Sequence, residues 1–205
     1  MRISKLVEMS QLVDYDFSKA NEKLKRILAK YNLDEFKLID KSLKLYESGN
    51  SIYEKYFIIF NNEKNEIDFI IQFKQDAVKI ENTIIKCLTP IFVYKKNMEL
   101  KSVTKKVYKK VNQLYQKPIL SDKKQTKEMS LVWIKMLEDK SIPFVKIVDT
   151  QTNEILEDIE NTEYGIFDYF EQGQRYRIIL NFGELIIKED EFVKEMREKY
   201  PKYFK

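Results

Sequence analysis

Lysine is the residue whose number and spacing first suggest chemistry. Between Lys95 and Lys127 stand eleven lysines against Glu99 and Asp122, a local balance of +9 in a chain whose formal net charge is +4. Lys105, Lys106, Lys109 and Lys110 recur at i, i+1, i+4 and i+5, so on a helix they share one broad face and repel one another unless an anion lies across them. Lys123, Lys124 and Lys127 fall in the first turn of an expected second helix, the end where the macrodipole disfavours cations. A phosphate backbone would relieve both costs and release counterions, giving binding that weakens steeply with salt. Tyr94, Tyr108 and Tyr115 are interleaved with the lysines and could stack on bases, although Tyr108 and Tyr115 flank the apolar stripe of their helix and fit edge-of-core packing better. The plainer readings of the lysine run are a solvated helix face and internal pairing with the chain's own acids.

Those acids are gathered in the next segment. From Glu138 to Gln172 there are ten carboxylates against Lys140 and Lys146, a balance of −8. Glu154, Glu157, Asp158, Glu160 and Glu163 could imitate the charge spacing of a nucleic-acid backbone and occupy the basic groove of a protein partner, which makes 154–171 a second candidate interaction segment. A solvated loop and helix start explains the same residues more simply. No EF-hand spacing with its central glycine occurs, and no metal site is assigned.

The best enzymatic candidate is one face of an expected strand carrying Glu66, Asp68, Gln72 and Lys74. An acid or glutamine two residues before a lysine, facing an acid on a neighbouring strand, can hold a divalent metal and orient water for phosphodiester hydrolysis. Gln72-Phe73-Lys74 resembles only the second half of that pattern as PD-(D/E)xK nucleases carry it, and Asp68, on the same strand, is too close to supply the first. Other catalytic templates fail by absence. The chain has no histidine, which removes the commonest general base and metal ligand, and a single cysteine, Cys87, which excludes an internal disulfide and a cysteine zinc site. There is no G-x-G-x-x-G, Walker loop or G-x-S-x-G. Cys87 sits in an apolar strand and reads as a small buried hydrophobe. No cofactor is expected.

The elements that must position these residues follow from periodicity. Helices are expected at Ser18 to Tyr31, Ser102 to Gln116, Asp122 to Asp139, Glu163 to Phe170 and Asp190 to Tyr200. In the second, Val103, Val107, Val111 and Leu114 form the buried stripe; the third is apolar on most of its circumference and reads as a central core element. Phe36 to Glu47 leans towards strand. Ile52 to Phe60 and Ile67 to Phe73 form a hairpin across Asn61 to Asn65, and Ile84 to Tyr94 is a strand that Pro90 places at an edge or a bulge. Phe144 to Val148 pairs with Ile155-Leu156, and Arg175 to Phe182 pairs with Leu185 to Lys188 around Gly183. The fold expected is α+β: antiparallel hairpins or a meander packed with four to five helices in one domain over 1–205, with a subdivision, if any, near 97–101.

Four glycines and four prolines are spread along the 205 residues, so no stretch has linker composition. The longest apolar runs fall far short of the roughly 18 residues of a membrane span, and the N-terminus reaches Glu8 before an h-region forms, so neither membrane nor secretion is expected and the compartment reads as cytoplasmic. The 32 lysines against five arginines, with three alanines and many Ile, Asn, Tyr and Phe, suit an AT-rich coding sequence such as a low-GC bacterium or its phage. The functional expectation is a non-catalytic binding protein, phage or mobile-element encoded, that docks through Lys105, Lys106, Lys109, Lys110, Lys123, Lys124 and Lys127 on nucleic acid or a nucleic-acid-processing complex and acts as an inhibitor or regulator. The alternatives are a divalent-metal nuclease using Asp68, Gln72 and Lys74, and an assembly protein whose basic and acidic segments pair between subunits.

Overall fold

The computed structural model describes residues 36–48, 55–61, 63, 66–95, 102–123, 127–156, 175–183 and 185, with Arg26 and Lys199 as single helical residues. Nine strands form one sheet: β1 (Phe36–Asp40), β2 (Leu45–Ser48), β3 (Lys55–Asn61), β4 (Glu66–Ile80), β5 (Thr83–Lys95), β6 (Ile119–Leu120), β7 (Phe144–Asp149), β8 (Glu154–Leu156) and β9 (Tyr176–Asn181). Two helices accompany them among the described residues, α1 (Val103–Tyr115) and α2 (Lys127–Leu137). The sheet order is β1-β2-β3-β4-β5-β6-β9-β7-β8. This corrects the expected α+β fold of antiparallel hairpins with four to five helices. The sheet dominates and is mixed, because β5 and β6 pair in parallel through Leu88 and Ile119, with α1 lying between them in the chain. The helices expected at 163–170 and 190–200 lie outside the described residues, as does that at 18–31, apart from helical Arg26 and Lys199.

The centre of the sheet is the long β4–β5 hairpin, whose register runs from Phe69 opposite Lys95 to Ile80 opposite Thr83. Its two-residue turn, Glu81-Asn82, holds Glu81 at φ 51°. Pro90 sits where the register slips: Gln72 faces Phe92 and Phe73 faces Pro90, leaving Ile91 as the extra residue of a bulge. A proline is tolerated there because the ladder is already interrupted. The expected strand over Phe36 to Glu47 resolves into two, β1 and β2, joined by a turn at Lys41–Lys44 in which Lys44 takes φ 48°.

The helices contribute to one core on one side of this sheet. Val103, Val107, Tyr108 and Val111 of α1, at a helical spacing, and Trp133 and Met136 of α2 pack with Phe57, Phe69, Ile71, Phe73, Ile147 and Ile178. Leu114, expected in the buried stripe, is 46% exposed. Two further clusters gather the alternate strand residues: Tyr56, Ile58, Ile67, Ile70 and Tyr94 in one, and Val78, Ile80, Ile85, Cys87, Leu120, Val148 and Ile179 in the other. Both faces of the central strands are therefore packed, which accounts for nearly continuous hydrophobic runs such as Tyr56 to Ile59. No described helix is long and apolar enough to cross a membrane.

Candidate nucleic-acid interface

α1 sorts its lysines by position around the helix. Lys105, on one flank, donates to Asp139, just beyond α2, and to the Ser141 hydroxyl at 2.7 Å. Lys110, on the other, lies 3.6 Å from Asp40 at the end of β1. Lys106 and Lys109 stand on the exposed crest, and among the described residues neither has an ion-pair partner. Lys123 is likewise exposed, but it lies in a bend before α2 rather than in that helix's first turn, which corrects the expected helix start at Asp122. Lys127 opens α2, and Lys124 lies outside the described residues. Two of the expected cations, Lys105 and Lys110, are thus paired with the chain's own carboxylates, and three, Lys106, Lys109 and Lys123, are exposed.

The Lys105–Asp139 contact joins the basic segment to the acidic one within a single chain. Of the remaining acids, Asp149 accepts from both Nε and Nη2 of Arg175, at 2.9 and 2.7 Å, and Glu154 begins β8. Residues 157–171 lie outside the described ones.

The interleaved tyrosines divide similarly. Tyr94 and Tyr108 are buried, so neither can stack on a base. Burial pushes the Tyr108 phenol well above its ordinary pKa, and its hydroxyl has no hydrogen-bond partner among the described residues. Tyr115, in the last turn of α1, is half-buried; its hydroxyl donates to Glu47, which also accepts from Lys55. Burial and this bond together hold the Tyr115 phenol protonated far above its usual range. Beside Tyr115 opens a pocket of about 160 Å³ lined by Lys55, Phe57, Phe73, Lys74, Leu88 and Lys117, with Gln75 at its margin. Sequence reasoning missed it, because Lys55 and Lys117 come from distant parts of the chain.

The strand residues of the nuclease reading do not meet. Asp68 accepts from the Asn61 amide at 3.3 Å, Gln72 is buried between packed strands, and the Lys74 ammonium lies 3.8 Å from Asp122. Six residues of extended chain put about 20 Å between Asp68 and Lys74, so on one strand they are too far apart to share a metal, which corrects the expectation that Asp68 is too close. The face they share is packed rather than open, with Ile70 fully buried between them. Among the described residues no three acidic or thiol groups come together as metal ligands would.

A second polar cluster lies inside the fold. Arg177 of β9, 2% exposed, donates from Nε to the Ser121 carbonyl at 2.7 Å and from Nη2 to Asp76 Oδ2 at 2.8 Å and Thr89 Oγ1 at 3.0 Å. Burial pulls the Asp76 carboxyl up, but the bond and charge of Arg177, the Ala77 amide and the Thr89 hydroxyl outweigh it and leave the pKa below the ordinary value. The donors at Nε and Nη2 are all directed at neighbours in the chain, so the role of the cluster is to fasten strands. No family model, curated protein or solved structure matches the chain.

Proposed function

We propose that this chain is a binding protein that docks on nucleic acid, alone or within a nucleoprotein complex, through the crest of α1 and the segment that follows it. The observation that carries the reading is the pair Lys106 and Lys109: one helical turn apart, exposed, and without a carboxylate partner among the described residues. Like charges at that spacing destabilise a helix by a few tenths of a kcal/mol, and a polyanion laid along the crest removes the cost. Lys123 is a further exposed lysine in the segment between α1 and α2. Lys105 and Lys110 serve instead to fasten α1 to its neighbours.

Fluorescence anisotropy with short RNA and DNA at two salt concentrations tests this. Binding should be salt-sensitive, and Lys106→Ala with Lys109→Ala should reduce the slope of log affinity against log salt by roughly 2, about one for each lysine that no longer neutralises a phosphate. Absence of salt-dependent binding to any nucleic acid or nucleoprotein overturns the reading. By occupying such a surface the protein would act as an inhibitor or regulator of nucleic-acid processing.

A further inference from the structure

We propose that the far end of the β4–β5 hairpin enters the major groove of duplex DNA, presenting Ala77, Lys79, Ile84 and Lys86 to the base edges. The inference rests on the nucleic-acid reading above and names the form of nucleic acid, which that reading leaves open. Three observations carry it. Among the described residues the hairpin is only two strands wide beyond Phe73 and Leu88: β3 reaches β4 no further than Lys55 opposite Phe73, and β6 meets β5 at Leu88. One face of this ribbon is anchored, with Val78, Ile80, Ile85 and Cys87 buried beside Leu120, Val148 and Ile179. The other face is open. There Ala77 pairs with Lys86 and Lys79 with Ile84 across the strands, and all four are exposed.

Charge and width decide which partner suits the open face. Lys79 and Lys86 have no ion-pair partner among the described residues, and the one acid between residues 77 and 88, Glu81, occupies the turn. Ile84, at 70%, is the most exposed large hydrophobic side chain among the described residues. The major groove of B-DNA, about 12 Å wide, admits a two-stranded ribbon, whose strands lie about 4.8 Å apart. A partner helix, about 10–12 Å across, overhangs such a ribbon on both sides. In the groove a lysine donates to guanine O6 and N7, and an alkyl side chain meets the thymine methyl. Lys79 and Lys86 are diagonal neighbours about 7–8 Å apart, a span of roughly two base-pair steps of about 3.4 Å. Ala77, one of only three alanines in the chain, keeps the ribbon low for close approach. Phe73 and Leu88, on the same side of the hairpin, join the core that α1 covers, so the open face and the crest of α1 lie on one side of the sheet. An RNA duplex fits poorly, because its major groove is too deep and narrow for side chains to read.

The test uses fluorescence anisotropy with the full chain, a DNA duplex of mixed sequence, the same duplex with uracil in place of thymine, and an RNA duplex of that sequence. The unmodified DNA should bind most tightly, since uracil lacks the methyl that Ile84 meets and the RNA groove excludes the ribbon. Ile84→Asp, at an exposed position that leaves the fold intact, should weaken DNA-duplex binding about tenfold, the low end for one lost base contact, and leave RNA binding unchanged. Lys79→Ala with Lys86→Ala should do the same. DNA-duplex binding that is indifferent to both ribbon variants but falls with Lys106→Ala and Lys109→Ala overturns this inference and leaves the proposed function standing. Binding that falls with the ribbon variants and is indifferent to the α1 pair supports the ribbon and overturns the role of the crest. Binding of polyglutamate that Ile84→Asp abolishes, with no binding of nucleic acid, identifies an acidic protein partner and overturns both, as does the absence of any binding.

Discussion

Arg177 reaches Asp76 at 2.8 Å across a separation of 101 residues, linking β9 to β4 past the end of the two-residue β6. The guanidinium is almost wholly buried, so its charge depends on this carboxylate and on the oxygens of Ser121 and Thr89. Removing one partner of a buried pair costs about 3–5 kcal/mol. Asp76→Ala should approach that loss in urea unfolding, because the guanidinium remains without its counter-charge. Arg177→Met combined with Asp76→Ala should lose less than the sum of the single changes, since the partners act as a unit.

Lys105, with the Ser141 hydroxyl and amide, holds the Asp139 carboxyl at about 2. Its folded pKa lies below that of the unfolded chain, so the interaction stabilises the fold above the ordinary aspartate value of about 4 and is lost as pH falls towards about 2. A carbon-13 titration of the Asp139 carboxyl should show that low midpoint and a rise towards the ordinary value in Lys105→Ala. An unchanged midpoint would show that Lys105 is not its partner in solution.

Tyr108 is enclosed by Phe73 and Trp133, and its hydroxyl has no partner among the described residues. An unsatisfied buried donor costs about 1–3 kcal/mol. Tyr108→Phe should therefore leave the melting temperature unchanged or raise it, whereas a drop would reveal a partner for the hydroxyl.

Cys87 is buried in β5, and desolvation pushes its thiol up to about 12. Only the thiolate reacts readily with alkylating or disulfide reagents. Native protein at pH 8 should remain unlabelled by a disulfide reagent over the time in which denaturant-treated protein reacts fully. Fast native labelling would mean that the β4–β5 hairpin opens readily.

Local signals in the chain reveal its strands and α1 but leave the assembly hidden. Alternation placed Ile67 to Phe73 in a strand, and Pro90 marked the bulge. β4 nevertheless continues to Ile80, through Lys74-Gln75-Asp76-Ala77, a polar stretch that reads as a break because Asp76 finds its counter-charge on distant β9. Gln72, expected on a strand face with Glu66, Asp68 and Lys74, is instead buried because another cluster covers that face. Parallel pairing of β5 with β6 rests on one register pair between short apolar segments, which periodicity cannot detect. The lysine run located α1's crest, yet it could not separate Lys106 and Lys109 from the neutralised Lys105 and Lys110, whose partners lie on other elements. One overlooked signal was arginine itself. In a chain that meets its surface needs with lysine, the rare Arg175 and Arg177 occupy positions where a planar fork of donors is required.

The narrowness of β6 has a mechanical consequence. Among the described residues, only its two lie along the sheet between the β1–β5 meander and the β9-β7-β8 group, supplemented by Arg177, by the Glu81 amide donating to the Asn153 carbonyl at 2.6 Å, and by Asn112 of α1, which donates to Asn181 and accepts from the Phe182 amide. A seam with so few rungs sets whether the chain melts in one cooperative step or separates first along that line. Amide protection should therefore rise towards the middle of β4 and drop across residues 119–121 as soon as Arg177 is removed, converting one unfolding unit into two.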